Sequence, residues 1–253
     1  SIYRYVVTNR ITSNDFLDCS LYEPGPYVIS VMSSDTRDNW DTTYVRVQLS
    51  DVDLLPPGQP NFTYIGPNAE GHLQLEWEAP DDPDLGGYIL EFSFNGTTWS
   101  SNHGPDILTS ELTSFTVDGF PQNSYIQFRL KAVDTAPIPN QSLYSDTYGV
   151  RLNNNQPTIL VVDGFDRTNG SWTSVQHNFA TYYSEAIVNS GSEVAIASAS
   201  NEWVTVTQNL EDYYSVFWFL GDDSRTLETF STSEQNVISE YLDGGGYLFA
   251  SGA

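Results

Sequence analysis

Residues 157–167, PTILVVDGFDR, constrain the fold more than any other stretch of this chain. Five consecutive apolar or β-branched residues follow a proline and run into Asp-Gly-Phe-Asp-Arg, which is typical of a strand buried on both faces that ends in a loop. Upstream segments alternate in hydrophobicity like strands with one solvated face, whereas downstream segments alternate between strand and helix patterns. The sequence therefore predicts a multidomain chain in which β-sandwich modules precede a parallel-sheet α/β domain.

The α/β domain is predicted over 157–253. The predicted strands are 158–163, 193–199, 215–220 and a last one from Tyr247, and the predicted helices are 175–191, ended by Gly191, and 233–246, with Ser233 as N-cap and glycines 244–246 as the stop. His177 is placed near the start of the first helix as a surface or capping residue, and Trp203 in a loop. Since a fourth strand is only beginning at Ala253, we expect the domain to be incomplete there. In a flavodoxin-like strand order, 2-1-3-4, the first and third strands are neighbours.

Residues 57–152 carry the pattern of a β-sandwich. A linker rich in proline, LLPPGQPN, precedes them. Strand patterns recur in HLQLEWEAP, in YILEFSFNGTTW with its Asn-Gly turn, and in SFTVDGFPQNSYIQFRLKAVD. This layout resembles a fibronectin type III domain, and the resemblance implies that Trp77 packs under Tyr125. No Arg-Gly-Asp is present, so the resemblance gives no expectation of integrin-type adhesion.

Residues 1–53 are predicted to be strand-rich. PYVISVMSSD and TTYVRVQLSDV are two runs of β-forming residues with an Asp- and Asn-rich turn between them. The pattern resembles the last hairpin of an immunoglobulin-like sandwich, which implies that the other strands lie upstream or come from a neighbour. Cys19 is the only cysteine, so no disulfide can close within the chain.

The charge balance disfavours one class of partner. Asp and Glu number 33 against 9 Lys and Arg, which gives a formal net charge of −24. Because phosphate neutralisation needs clustered basic side chains, we expect no nucleic-acid partner. No run approaches the ~18 apolar residues that a membrane helix needs. The chain begins inside a strand pattern, without Met or an apolar leader, so we interpret it as part of a longer protein. Its tandem modules and its acidic surface with a single lysine lead us to expect an extracellular or cell-surface location.

Candidate ligand-binding residues follow the first and third predicted strands of the α/β domain. In open parallel sheets, ligands bind outside the carboxyl ends of the strands, where the strand order reverses. Two interpretations stay open. Converging carboxylates could hold a divalent cation, which would offset their mutual repulsion, or they could cap loops and helix ends. The candidates are Asp163, Asp166, Arg167, Asp222 and Asp223.

Two other acidic turns could ligate calcium through carboxylate oxygens. One contains Asp35 and Asp38, and the other contains Asp81, Asp82 and Asp84. Asp and Asn are also the residues that ordinary turns use, so a purely structural role is the competing interpretation. Calcium is therefore the one cofactor that the sequence suggests, and no pattern requires it.

No standard catalytic motif is complete. The spacing Asp163-x-x-Asp166 differs from the Asp-x-Asp of haloacid-dehalogenase phosphatases, and no G-x-G-x-x-G follows the first strand. Cys19 lies far upstream, so a cysteine nucleophile of the glutamine-amidotransferase type is excluded. Ser251 lies at the end of a predicted strand, where a nucleophile would be expected, but the first glycine of a Gly-x-Ser-x-Gly elbow is missing. Ser251 is thus the one catalytic candidate, and we expect the residues present to be non-catalytic.

The order of these segments resembles a group of large secreted bacterial proteins labelled "xanthan lyase-like" or amidase-associated. The resemblance rests on VVDGFDR after a fibronectin-like module, followed by SASNEWV, FLGDDS and SEQNVISEYLDGGGYLFASGA. It implies a fibronectin type III domain directly before an α/β domain of amidotransferase-like topology. It places no catalytic residue on this sequence.

We therefore expect β modules that act as spacers and an α/β domain that serves binding or structure. Two alternatives are part of a carbohydrate- or peptidoglycan-active lyase or hydrolase, and a subunit of an extracellular assembly or filament. The expected partners are neighbouring domains of the same longer chain, a polysaccharide or other protein subunits.

Overall fold

The computed structural model describes residues 22, 24–49, 53–68, 70–154, 156–165, 176–221 and 229–252. Contacts divide the chain into two compact units, Ser1–Leu54 and Leu55–Ala253. None of the described helices is both long and apolar enough to cross a membrane.

The described part of the first unit is an antiparallel hairpin of β1 (Gly25–Ser34) and β2 (Trp40–Leu49). The strands pair along their whole length without a register shift. Asp38, in the turn, has a φ of 60°, a left-handed conformation that Asp adopts more readily than most residues. The two predicted strands and their acidic turn are therefore present, and the immunoglobulin-like assignment stays a prediction.

The first part of the second unit is a β-sandwich. Its described strands are β3 (Asn61–Pro67), β4 (Leu73–Glu78), β5 (Leu85–Ser93), β6 (Ser100–His103), β7 (Ser114–Val117), β8 (Tyr125–Asp134) and β9 (Tyr148–Arg151). They form two antiparallel sheets, ordered β7-β4-β3 and β6-β5-β8-β9. Alternate residues of β4 and β8 are buried in one shared core, which is the pattern that a strand with a single core face produces. The predicted β-rich architecture of this region is confirmed.

The tryptophan of this core does not pack as the resemblance implied. Trp77 lies edge-on to Tyr88, with ring centroids 5.3 Å apart. Tyr125 instead forms a hydroxyl–hydroxyl hydrogen bond of 2.7 Å with Ser184. Tyr125 and Phe128 are three residues apart, so they project from opposite faces of β8, and Phe128 occupies the core. The prediction that Trp77 packs under Tyr125 was wrong.

The second part of this unit is a parallel sheet covered by helices. Its elements in chain order are β10 (Thr158–Asp163), α1 (Phe179–Asn189), β11 (Ala195–Ser200), α2 (Asn201–Thr207), a 3-10 turn (Leu210–Asp212), β12 (Ser215–Phe219), α3 (Thr232–Asp243) and β13 (Tyr247–Ser251). The described strands are ordered β11-β10-β12-β13, so the first and third strands are neighbours, as predicted. One face of the sheet packs with α1, and the other packs with α2 and α3.

The start of α3 differs from the prediction. Ser231, and not Ser233, is the N-cap, because its side chain accepts a hydrogen bond from the Glu234 amide. The Ser231 amide in turn donates a hydrogen bond of 2.6 Å to the Glu234 carboxylate, which completes a capping box. Glu234 also accepts a hydrogen bond from Asn201 at 3.0 Å, and this contact joins the starts of α2 and α3.

Two residues near α1 and α2 also lie in different places from those predicted. Trp203 is in α2 and not in a loop, because Ser200 caps this short helix by accepting a hydrogen bond from the Trp203 amide. His177 lies before α1, whose first residue is Phe179.

The sandwich and the parallel sheet share strand pairing through β11. The first half of β11 pairs with β9, where Ile196 lies opposite Arg151. The second half pairs with β3, where Ser198 lies opposite Ile65. The buried Ser198 hydroxyl donates a hydrogen bond of 2.7 Å to the Gly149 carbonyl. Both sheets of the sandwich therefore continue, through one strand, into the parallel sheet.

Side chains reinforce this junction on both faces of the sheet. On the α1 face, the Gln127 amide donates to Glu185 at 2.6 Å. On the other face, the Trp203 ring stacks on Tyr64 with centroids 4.4 Å apart, and its Nε1 donates to Glu76 at 3.0 Å. Trp203 thus contacts the sandwich through both its ring and its Nε1. That residues 57–152 and residues 157–253 are two separate domains stays a prediction.

Candidate functional site

A cleft opens at the carboxyl ends of β12 and β13, on the face of the sheet that packs with α1. Its volume is about 520 Å³, which is within the range of small-molecule sites. Phe219 and Ser251 lie opposite each other on the two strands, so both side chains project to the same face. The described residues that line the cleft are Phe179, Tyr182, Tyr183, Ala186, Phe219, Gly221, Ser251 and Gly252.

One wall of the cleft is an aromatic face of α1. Residues 179, 182, 183 and 186 are separated by three or four positions and therefore share one side of the helix. Tyr183 stacks on Phe219, with centroids 4.9 Å apart and planes 6° apart. Tyr182 is 64% exposed, so its ring is accessible to a ligand. None of these aromatic residues was predicted as a site residue, although their helical spacing is visible in the sequence.

Two glycines bring the ends of β12 and β13 close together beside the cleft. Gly221 has a φ of 62° and Gly252 a φ of 120°, which residues with a Cβ rarely adopt. A Cβ on Gly252 would lie 2.7 Å from the Gly221 carbonyl oxygen. The Leu220 amide donates to the Ser251 carbonyl at 2.8 Å, which holds the two strand ends together.

Ser251, the catalytic candidate, lies in the cleft. Its hydroxyl is hydrogen-bonded to the hydroxyl of Tyr183. Among the described lining residues there is no carboxylate, imidazole, amine or thiol. A serine nucleophile is activated by an adjacent general base, and a neutral phenol is not such a base. The described part of the cleft therefore offers hydroxyl groups for hydrogen bonding.

Asp163 ends β10 and is buried. Its Oδ1 accepts a hydrogen bond of 3.2 Å from the Phe165 amide, as the capping interpretation expects. The Gly164 amide donates to the Phe219 carbonyl at 2.9 Å, so this loop is joined to β12. The convergence of Asp163 with the other candidates, and with a cation, stays a prediction, because the others lie outside the described residues: Asp166, Arg167, Asp222 and Asp223.

The first acidic turn is held by its own hydrogen bonds. Asp35 accepts from the backbone amides of Arg37, at 2.7 Å, and Asn39, at 3.0 Å. It also accepts from the Asn39 side chain at 2.7 Å. Together with the backbone bonds, this side-chain hydrogen bond lowers the pKa of Asp35 below its ordinary value. These contacts are those of an Asx turn. Asp38 is exposed in the same turn, and calcium binding there stays a prediction.

The second acidic turn precedes β5. Asp81 is exposed. The Asp82 carbonyl accepts from the Leu85 amide at 3.3 Å, which closes the turn. The carboxylate oxygens of Asp84 and Asp134 lie within 4.8 Å of one another. The structure thus brings Asp84 near a second carboxylate, and calcium binding by this turn also stays a prediction.

A segment before α1 is attached to the sandwich through His177 and Asp146. His177 is only 5% exposed, and its amide donates to the Asp146 carboxylate. Its ring lies 4.6 Å from that of Phe165 and is parallel to that of Phe179, which lines the cleft. The prediction of a surface or capping role for His177 was wrong, because these contacts hold the residue in the interior.

Burial makes the contribution of Asp146 to stability depend on pH. Desolvation raises the pKa of Asp146 to about 6, against the opposing effect of the hydrogen bond from the His177 amide. Between the ordinary pKa of 3.8 and about 6, the folded protein keeps a proton that the unfolded chain has lost. The free energy of unfolding therefore falls as the pH rises through this window.

Asp146→Asn is expected to stabilise the protein at neutral pH and to have little effect in acid. The amide oxygen can still accept from the His177 amide, while the partly buried charge is removed. We expect a gain in the free energy of unfolding of ~1–2 kcal/mol near pH 7 and almost none near pH 4. Urea unfolding at both pH values measures this gain, with Asp106→Asn, an exposed carboxylate, as the control. An equal gain at both pH values would contradict the prediction.

Comparison with known proteins places the chain in no family, since no family model and no curated protein matches it. Among solved structures, the twitchin kinase region from C. elegans is 21% identical, with a TM-score of 0.32 over 40% of this chain and 17% of that chain. The sixth fibronectin type III domain of human fibronectin type III domain containing protein 3 is 15% identical, with a TM-score of 0.31 over 41% of this chain and 92% of that one. A β-1,2-glucanase from Parabacteroides distasonis is 18% identical, with a TM-score of 0.33 over 47% of this chain and 16% of that chain. The fibronectin type III resemblance of the sandwich stays a prediction from the sequence.

Proposed function

We propose that this chain is a non-catalytic module of an extracellular or cell-surface protein, in which a β-sandwich rigidly carries a ligand-binding α/β sheet. The observation that carries the proposal is the cleft beside α1. It combines aromatic rings with the hydroxyls of Tyr183 and Ser251, and its described lining residues include no general base. Such a lining favours binding over bond cleavage.

The strand order supports the position of the site. The order β11-β10-β12-β13, with helices on both faces, favours a flavodoxin-like, amidotransferase-like topology for 157–253. In open sheets of that kind, ligands bind outside the carboxyl ends of the strands, near the reversal of strand order. The cleft lies at the carboxyl ends of β12 and β13, next to that reversal. The resemblance to secreted xanthan lyase-like proteins agrees with this order of domains.

A neutral saccharide is the ligand that suits this lining best. The apolar face of a pyranose ring can stack on an aromatic ring, while its hydroxyls need hydrogen-bonding partners. Phe179 and Tyr182 present partly exposed rings, and Tyr183 and Ser251 present hydroxyls. The formal net charge of −24 repels polyanions, so a neutral polysaccharide is favoured over an acidic one.

Calorimetric titration with neutral gluco-, manno- and xylo-oligosaccharides tests this proposal. We expect at least one of them to bind, and Tyr182→Ala to weaken that binding about tenfold, because the exposed stacking ring is lost. Tyr44→Ala is the matched control, since Tyr44 is exposed to a similar extent, 68% against 64%, but lies in the hairpin. Absence of binding, or binding that survives Ala186→Trp, which fills the cleft, would refute the proposal.

A carbohydrate-active enzyme is the second candidate function. The observation that favours it is the position of the Ser251 hydroxyl in the cleft, at the carboxyl end of β13 and in contact with Tyr183. We expect binding without turnover. Cleavage of an oligosaccharide that Ser251→Ala abolishes, while binding is retained, would replace the non-catalytic proposal by this one.

A further inference from the structure

A second cavity lies at the opposite ends of β12 and β13, where these strands begin. Its volume is about 460 Å³, and it is separate from the cleft beside α1. Its lining is rich in tyrosine and contains two carboxylates. The lining residues that matter here are Tyr213, Tyr214, Tyr241, Tyr247, Glu211 and Glu240.

Two of the tyrosines are fixed by hydrogen bonds and form the inner part of the cavity. The Tyr241 hydroxyl donates to the Tyr213 carbonyl at 3.1 Å, and Tyr241 is buried. The Tyr213 hydroxyl donates to that of Tyr64 at 3.4 Å. Since the hydroxyls of both rings bond to the protein, we expect these tyrosines to serve a ligand chiefly through their rings.

The other two tyrosines form an open wedge at the mouth of the cavity. Tyr214 is 57% exposed and Tyr247 is 63% exposed. Their ring centroids are 5.6 Å apart, with planes inclined at 40°. Two accessible rings in contact with each other at the mouth of a cavity offer a ligand a continuous aromatic surface.

The electrostatic surroundings of this cavity favour a positive charge. Glu211 and Glu240 are exposed at its edge. The last turn of α3 ends at Asp243 beside it, and the carboxyl end of a helix carries a partial negative charge. Among the described lining residues there is no lysine or arginine.

We propose that this cavity binds an organic cation, an alkylammonium group such as the trimethylammonium head of choline or of a trimethylated lysine side chain. The negative faces of the tyrosine rings attract a weakly hydrated cation, and the two carboxylates add a longer-range attraction. A hard metal ion would instead require several oxygen ligands close to one another, which aromatic faces do not supply. This inference is independent of the saccharide cleft.

Choline and its neutral isostere 3,3-dimethylbutan-1-ol are the probes that test the charge requirement. Saturation-transfer NMR titrations of the whole chain are expected to show choline binding in about the millimolar range, at least about tenfold tighter than the isostere. Nα-acetyl-trimethyllysine amide distinguishes the sources of the cation. Binding at least as tight as that of choline indicates a protein side chain, and weaker binding indicates a free ammonium compound. Equal affinity for choline and the isostere, or no choline binding, overturns the proposal.

Variants at the cavity mouth test its position. Tyr247→Leu removes a ring and is expected to weaken choline binding about three- to tenfold, whereas Tyr247→Phe retains the ring and most of the affinity. Glu240→Gln is expected to weaken choline binding about twofold or more. Tyr247 and Glu240 are exposed, so these variants are expected to fold. Choline binding that is unchanged in both Tyr247→Leu and Glu240→Gln overturns the assignment.

Discussion

Phe128→Ala, a cavity mutation in the β-sandwich, is expected to destabilise the parallel sheet together with the sandwich. Phe128 is fully buried in a core that also contains Ile159 and Val161 of β10 and Ile196 of β11. Truncation of a buried phenylalanine to alanine costs about 3–5 kcal/mol. Because β11 pairs with both β3 and β9, unfolding of the sandwich removes the strands that pair with one edge of the parallel sheet.

Hydrogen exchange measures this coupling strand by strand. We expect the amides of β10 and β12 to lose protection together with those of β5 and β8. If Phe128→Ala does not fold, Ile126→Val, at a cost of about 1 kcal/mol, is expected to give the same pattern at smaller amplitude. Leu143→Ala, on the exposed surface of the sandwich, is the control. Protection that persists in β10 and β12 while β5 and β8 exchange would instead support two independent domains.

Gly221→Ala is expected to cost about 2–5 kcal/mol of stability, the second largest effect. A residue with a Cβ at a φ near 62° costs about 1–2 kcal/mol, and overpacking adds about 1–3 kcal/mol. The added Cβ would lie 2.3 Å from the ring of Phe165. That ring cannot easily move, because it packs against His177 and Phe179. The same change would disturb the wall of the saccharide cleft.

Gly191→Ala separates the two contributions. Gly191 has a φ of 81°, and a Cβ added there would meet no atom within 4 Å, so only the conformational cost applies. Guanidinium unfolding of both variants is expected to show a loss of about 1–2 kcal/mol for Gly191→Ala and a larger loss for Gly221→Ala. Equal losses would mean that the Phe165 ring moves to accommodate the added Cβ, and that Gly221 is needed for its backbone conformation alone.

The types of the elements after residue 157 could be predicted because buried residues recur in the sequence with the spacing of a helix or as the continuous apolar run of a buried strand. β10 is apolar on both faces, and Gly191 follows the last turn of α1, as expected. The errors fell where local signals compete. Ser231 and Ser233 are both chemically able to cap α3, and only the reciprocal contact with Glu234 decides between them. The helical position of Trp203 was not predicted, because α2 has too few residues to show a hydrophobic period.

The candidate site was only partly predictable. Ser251 was selected because it ends a predicted strand, and it lines the cleft. Asp163 was selected for the same reason, but it is not among the described residues that line the cleft. Tyr183 was not recognised, although it contacts Ser251 from 68 positions away. A contact between a helix and a strand so distant in sequence follows from how α1 is placed on the sheet, and no short motif records that placement.

The sequence by itself determined the classes of structure in this protein, namely a β-rich first part and alternating strands and helices after residue 157, together with its formal net charge of −24. Only the tertiary structure decided how these parts are joined. Strand pairing is made by backbone groups that every residue carries, so nothing in the sequence marks β11 as the partner of both β3 and β9. Side chains alternate along β8, so Tyr125 and Phe128 project from opposite faces. The tertiary structure decided that α1 covers the face of Tyr125 and that the sandwich core covers the face of Phe128. Hydrophobic periodicity shows which face of an element is buried, and the fold decides what covers that face.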